Sequence, residues 1–371
     1  MKRPIQFLRN PEPARIPADF LAFLRKLGGP TLIVLDGEER ERTRAMATLL
    51  HGNEPSGARA IHHWLLGGRR PRTNLLCLVA SVHTALHEEA FRHRFMPGQR
   101  DQNRCFRPPF DDAPGHIAGH FLELLQQHRP ECLLDVHNTS GFGPAFGVAP
   151  HEDLAHEAIV SRFCSHLIIT DLSLGSLMEI SGSPCPAVTV ECGGARPPGA
   201  APPARRGGGS PPVAGVGGGP PGGDPVADRI AREGLERYLL DEDVMGTLAG
   251  ERRLDVYHHP VRLELEPGAS IAYCDEPLPG MDLTVAPALE RCNFGGAGPD
   301  TPIGWLGERG TAALRVRNGR GEDVLAQYFT ARDGRLYPSQ KLRLFMVTTN
   351  PQIALSDCLL YASPEREHTR L

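Results

Sequence analysis

The chain has 371 residues, more than a single hydrophobic core ordinarily fills, so two domains are expected. Its 40 Lys and Arg nearly balance 44 Asp and Glu, and no long block of one sign occurs, which excludes a nucleic-acid footprint. Pro4, Pro11 and Pro13 interrupt the basic N-terminal stretch before a signal-length apolar run develops, and no later run approaches a membrane span. The expectation is a soluble, cytoplasmic protein with neither nucleic acid nor membrane as partner. Nine cysteines without any CxxC spacing argue against a complete disulfide framework. Most are expected to be small buried hydrophobes, and only Cys105 and Cys192 neighbour motifs of interest.

Apolar, β-branched runs alternate with amphipathic stretches over the first two-thirds, the pattern of an α/β protein. Thr31 to Leu35 and Ala45 to Leu50 read as strands separated by a turn at Asp36-Gly37, and Ala58 to Leu66 as a helix. Leu75 to Val82 is an almost uninterrupted apolar run, as in strands buried on both faces. His116 to His128 carries a helical apolar stripe through Ile117, Phe121, Leu124 and Leu125. Strands at Leu133 to Val136, Ala145 to Ala149, Leu167 to Thr170 and Ala187 to Val190 complete a mostly parallel sheet, with a helix from Asp153 to Cys164.

Between Pro197 and Gly223, 18 of 27 positions are Gly or Pro, too few apolar side chains for a core. This tract, 197–225 with its margins, reads as disordered or irregular, or as the product of a local frameshift or insertion, alternatives that resequencing separates. Helical patterning resumes over Val226 to Leu240. Short strands at Val261 to Leu265, Ala313 to Val316 and Leu342 to Thr348, with Gly and Pro turns, indicate a β-rich second domain. The division is 1–250 and 251–371.

Four segments carry chemistry. LLHGNEPSG places His51 three residues before Glu54 at a strand end, and LLDVHN ends another strand on His137. Sheets of this class put ligand sites at the carboxyl ends of strands. Two imidazoles and a carboxylate form a catalytic zinc shell with one position open for water. Asp135, two residues before His137, faces the same side of its strand, either orienting a ligand or serving as a satisfied core carboxylate. RFMPGQRDQNRCF gathers Arg94, Arg100 and Arg104 around Asp101 and Asn103; guanidinium forks suit an anionic substrate, with a solvated arginine loop as the alternative. In VTVECGG, Glu191 ends an apolar strand, where a carboxylate near a metal can relay protons.

Together HGNE, DxNRxF, DxHN and the strand-end Glu followed by glycines resemble the succinylglutamate desuccinylase and aspartoacylase family, relatives of the zinc carboxypeptidases. The segments NFGGAGPDTPIGWLG and LFMVTTNPQIALSDCLLY extend the resemblance over most of Leu32 to Tyr361, the Gly/Pro tract excepted. It implies a zinc carboxypeptidase-like α/β domain, its mostly parallel mixed sheet flanked by helices, with a smaller β-rich C-terminal domain. It further implies one Zn2+ per chain on His51, Glu54 and His137, Glu191 as general base, and Asn103 with Arg104 as carboxylate clamp. Arg94 or Arg100 would polarise the scissile carbonyl, and Asp101 and Asp135 would support the metal ligands. The implied reaction is hydrolysis of the amide of a small anionic N-acyl amino acid; a homo-oligomer is compatible with it. Deacetylation of another N-acyl amine, a short carboxypeptidase-type activity and a non-catalytic metal- or metabolite-binding relative are the alternatives. Gln102 departs from the apolar residue usual in the family's DxNR motif, and the Gly/Pro tract replaces ordered structure beside the pocket.

Overall fold

The computed structural model describes residues 4–139, 142–194, 224–250 and 253–365. The Gly/Pro tract, whether irregular or frameshifted, lies outside the described residues. Contacts divide the chain into two units, Met1–Asn138 with Ala145–Leu167 and Ser173–Val256, and Thr139–Pro144 with Ile168–Leu172 and Tyr257–Leu371.

The first unit holds most of a nine-stranded sheet. Its strands are β1 (Gln6–Arg9), β2 (Thr31–Leu35), β3 (Glu39–Thr48), β4 (Thr73–Val79), β5 (Leu133–His137), β6 (Phe146–Ala149), β7 (His166–Ile169), β8 (Ala187–Glu191) and β9 (Asp255–His258). Their order is β1-β2-β4-β3-β5-β8-β6-β7-β9. The central run β4-β3-β5-β8 is parallel, whereas β2 against β4 and β6 against β8 are antiparallel. A mixed, mostly parallel sheet is therefore present. Strands β2 and β5 are buried at every position; β2 accordingly reads as an almost unbroken apolar run, whereas β5 carries Asp135 and His137 within its buried length. Every fully buried Leu, Ile or Val in these strands contributes about 1.5–3 kcal/mol relative to exposure.

The helices are α1 (Phe20–Leu27), α2 (Ser56–Gly67), α3 (Val82–Ala85), α4 (Ala113–His128), α5 (Leu154–Ser161) and α6 (Pro225–Leu240). Side-chain caps start most of them. Asp19, Asp112, Asp153 and Asp224 each accept a backbone N–H from the first turn of α1, α4, α5 and α6. Sequence patterning omits α1 and β1, although α1 carries its own punctuation in the capping Asp19 and the left-handed Gly28 that ends it.

Two boundaries differ informatively from the sequence expectation. Strand β3 begins at Glu39 because its first half, ERERTR, is charged and partly exposed; only the buried half shows in an apolar scan. It ends at Thr48 rather than Leu50, because Leu49 adopts φ +54° and turns the chain out of the sheet. The Asp36-Gly37 turn does not join neighbouring strands, since β4 lies between β2 and β3.

Helix α6, the first described element after the Gly/Pro tract, is firmly tied to the sheet. The Tyr238 hydroxyl donates to the Ala45 carbonyl at 2.8 Å, and the fully buried Arg44 donates to the Tyr238 carbonyl while pairing with Glu131 at 2.6 Å.

The second unit contains two five-stranded sheets. One includes Val261–Leu265, flanked by Leu314–Arg317 and Leu360–Pro364; the other includes Leu283–Val285 and Gly304–Leu306. Leu263, Leu283, Val316, Leu336, Leu344 and Leu360 are fully buried in its own core. All nine cysteines are free. No helix among the described residues is long and apolar enough to cross a membrane.

Candidate metal centre and its surroundings

Three parallel strands deliver the centre. His137 is the last residue of β5 and lies in register with Glu191, the last residue of β8. On the other side of β5, β3 ends at Thr48, and the turn through Leu49 carries His51. The Glu54 N–H closes this turn on the His51 carbonyl at 3.2 Å, just ahead of α2.

Two glycines permit it by close approach rather than by unusual φ. A Cβ on Gly52 would lie 2.6 Å from Thr84 Cγ2 and 2.7 Å from the His93 carbonyl oxygen. One on Gly57 would lie 2.2 Å from Thr48 Oγ1 and 2.9 Å from Val136 Cβ, so the first turn of α2 rests directly on the strands and aims Glu54 over their ends.

His51, Glu54 and His137 are all buried, and their ligand atoms lie within 4.8 Å of one another, a group that can hold a metal ion. Nδ1 of His51 is 2.9 Å from Glu54 Oε1, and Nδ1 of His137 is 2.6 Å from Glu54 Oε2. Each outer nitrogen meets a second carboxylate: His51 Nε2 lies 2.9 Å from Asp101 Oδ1, and His137 Nε2 lies 2.8 Å from Asp135 Oδ2. The imidazole centroids are 5.0 Å apart.

This donor set fits a cation. A neutral imidazole has one N–H, and donating it from Nε2 to Asp101 or Asp135 leaves the Nδ1 lone pair facing a Glu54 oxygen, acceptor against acceptor. Two remedies exist: a further proton on each ring, or one cation among both Nδ1 atoms and the carboxylate. The electrostatics agree. Burial and Arg94 push the His51 imidazole down, yet Asp101 and Glu54 outweigh them and hold it above its ordinary 6.5. Burial likewise opposes charge on His137, but Asp135 and Glu54 lift it well above that value. Burial alone would raise the Glu54 and Asp101 carboxyls, and the facing imidazoles hold both far below the usual range.

Glu191 is different. It is 9% exposed, and burial pushes its carboxyl up to about 7, reinforced by Glu54 and opposed by His137, His51 and Arg94.

The arginine-rich loop separates into distinct parts. Arg94 is drawn into the centre, with Nε 3.2 Å from Asp101 Oδ2 and Nη1 3.4 Å from Glu54 Oε1. Arg100 is not: it donates through Nε and Nη2 to both oxygens of Asp112 at 2.7 Å, bracing the residue that caps α4. Asn103 and Arg104 sit on a short 3-10 turn, Gln102–Arg104, which Asp101 caps by accepting the Asn103 N–H. The Asn103 amide nitrogen is 3.4 Å from His137 Nε2, and its oxygen accepts the Leu177 N–H at 2.9 Å. Arg104 donates to the Asn103 carbonyl at 2.9 Å. Gln102 is buried with its amide donating to the Pro114 carbonyl at 3.0 Å, which accounts for a polar residue where the resemblance expects an apolar one. Cys105 and Cys192 are both fully buried.

One network escapes the motif reading. Asn138 accepts the Ser56 N–H at 3.0 Å and donates to Ser56 Oγ at 2.8 Å, and that hydroxyl donates to Asp228 of α6 at 2.6 Å. It binds the residues just after Glu54 and His137 to each other and to Asp228, 90 residues beyond Asn138. The Asn of DVHN and the Ser of NEPS were the only sequence signals, and Asp228 offered none.

No family model matches the chain, and no curated protein matches it in sequence. Solved structures do match. A succinylglutamate desuccinylase from Vibrio parahaemolyticus superposes with a TM-score of 0.55 at 12% identity, over 95% of this chain and 96% of that one. The succinylglutamate desuccinylase from Chromobacterium violaceum gives 0.52 at 14% identity, over 91% and 89%. The chain has the succinylglutamate desuccinylase fold. A succinylglutamate desuccinylase/aspartoacylase from Rhodobacter sphaeroides, at 0.50 and 13% identity over 91% and 88%, extends the likeness. The desuccinylase fold here spans nearly the full length of its structural neighbours, so both units are included in the match.

Proposed function

We propose that the chain is a zinc-dependent amidohydrolase acting on a small anionic N-acyl amino acid. The observation that carries this reading is the buried His51, Glu54 and His137 group, with both Nδ1 atoms turned to one carboxylate and both Nε2 atoms anchored by others. Two imidazoles and a carboxylate are the ligand set of a hydrolytic zinc site with an open position. When bound, one zinc ion supplies a Lewis acid that polarises the amide carbonyl and acidifies water.

The chain's own residues divide the remaining work. Glu191, adjacent to His137 across β5 and β8, has a carboxyl poised near neutral pH. Such a group takes a proton from the attacking water and returns it to the departing amine with little thermodynamic loss. Arg94, rather than Arg100, is the guanidinium at the centre, and its positive charge stabilises the developing oxyanion. Arg104 and Asn103 clamp the substrate carboxylate and fix the amide over the centre. Asp101 and Asp135 hold the two imidazoles in the tautomer that presents Nδ1.

The test is zinc-dependent hydrolysis across N-succinyl-, N-acetyl- and dipeptide substrates. Turnover of an N-acyl amino acid that is lost on chelation and restored by zinc is expected. Zinc-replete protein that binds such compounds without turnover would overturn the enzymatic reading.

A further inference from the structure

The loop that delivers Arg94 contains a second group of metal-binding side chains. His87, Glu88 and His93 offer ligand atoms that all lie within 4.8 Å of one another, as those of the buried centre do. Nε2 of His93 is 3.3 Å from Glu88 Oε2, and Nε2 of His87 is 3.9 Å from Glu88 Oε1. Each imidazole thus faces a different oxygen of one carboxylate, repeating the disposition of His51 and His137 about Glu54. The ring geometry repeats as well: centroids 5.2 Å apart at 52° here, against 5.0 Å at 58° in the buried centre.

The three side chains are held in place by backbone structure. The His87 N–H donates to the Thr84 carbonyl, the Phe91 N–H to Ala85 and the Arg92 N–H to Glu89. Glu88 adopts φ +54°, a conformation that a residue with a side chain keeps only where its surroundings impose it, and its two carboxylate oxygens face His87 and His93. Beyond His93, the Arg94 carbonyl accepts the Gly52 N–H at 2.8 Å, so the loop is fastened beside the turn that bears His51 and Glu54.

We infer that His87, Glu88 and His93 form a second, solvent-accessible binding site for a borderline transition-metal cation such as Zn2+. Two imidazoles and a carboxylate favour zinc, nickel or copper over magnesium or calcium, which demand oxygen-rich shells. The side chains are 35%, 62% and 23% exposed, so water completes the coordination and the ion exchanges readily, in contrast to the enclosed centre. The rival reading, a surface His–Glu pairing with no metal, predicts weak and salt-screened contacts only.

The inference is independent of the proposed activity, and one experiment separates the two. The full chain, stripped of metal, is dialysed against buffered Zn2+, and bound zinc per chain is measured for wild type, the His87→Ala/His93→Ala variant, Glu54→Ala and the three changes combined. Two equivalents are expected for wild type, one for each partial variant and none for the combination. A circular dichroism melt of each confirms folding, and Co2+ substitution supplies a second readout in which His87→Ala/His93→Ala alters the absorption envelope. A double variant that binds as much zinc as wild type, with an unchanged Co2+ spectrum, overturns the second site. Loss of all zinc in folded Glu54→Ala also overturns it, and is the result expected if the buried centre alone binds zinc. One equivalent in Glu54→Ala together with no zinc at all in the double variant supports the loop site and removes the buried one.

Discussion

Glu191→Gln tests the centre through stability as well as rate. Burial raises the Glu191 carboxyl from its ordinary 4.5 to about 7, so the folded chain resists its ionisation. Below pH 4.5 the carboxyl is protonated in folded and unfolded chains alike, and it favours neither. As pH rises from 4.5 to about 7 the unfolded chain ionises first, so stability falls; above that the full penalty is present. At about 1.4 kcal/mol per pH unit between the two values, the penalty is on the order of 3 kcal/mol. Glutamine keeps the shape and removes the charge. Urea unfolding of chelated protein should therefore show the variant equal to wild type near pH 4.5 and more stable by up to about 3 kcal/mol at pH 8. With zinc bound the cation offsets the buried charge, and the difference shrinks. The same variant should retain zinc and lose at least about two orders of magnitude in rate. A pH-independent stability difference would refute the burial argument, and near-normal turnover would remove Glu191 from the mechanism.

Other consequences follow from particular contacts. Asp101→Asn and Asp135→Asn, which disturb the Nε2 anchors of His51 and His137, should each weaken zinc affinity about 10- to 100-fold in chelator competition. Unchanged affinity in both would mean that the anchors do not set the tautomers. Arg104→Ala should raise KM for carboxylate substrates about 10- to 100-fold, the loss of a charge-assisted contact, with little change in kcat. Arg100→Ala, whose fork is occupied by Asp112, should leave turnover near wild type; a loss matching that of Arg94→Ala would reverse the assignment. Arg44→Ala leaves the α6 carbonyl of Tyr238 without its buried donor while Glu131 keeps Arg42, and should destabilise the chain by about 1–3 kcal/mol in urea unfolding. A loss below about 1 kcal/mol would mean that α6 is held by other contacts.

The centre was legible because its residues stand beside strand ends that are themselves legible. Apolar runs announce β5 and β8, each ends on a polar residue of ligand or base chemistry, and parallel register then places His137 beside Glu191. Asp135 is found by the same two-residue period. What failed was whatever depended on non-local pairing. The charged half of β3 has no apolar signature because its stability comes from Glu131 and α6, far along the chain. The left-handed residue of the turn before His51 is Leu49, and Gly52 is needed for its closeness to Thr84 and His93, which no local pattern shows.

The sequence by itself therefore determined the α/β class, the strands that end on His137 and Glu191, and the chemical types gathered in the arginine-rich loop, because these rest on local periodicity and residue chemistry. Only the tertiary structure decided which arginine reaches the centre, which nitrogen of each histidine faces Glu54, and that Ser56, Asn138 and Asp228 lock together the segments that follow Glu54 and His137. Arg94 and Arg100 have the same guanidinium and stand six residues apart, 94 to 100; what separates them is that Asp112 occupies one and Glu54 with Asp101 the other. Those partners are brought together by folding, and no local pattern encodes them.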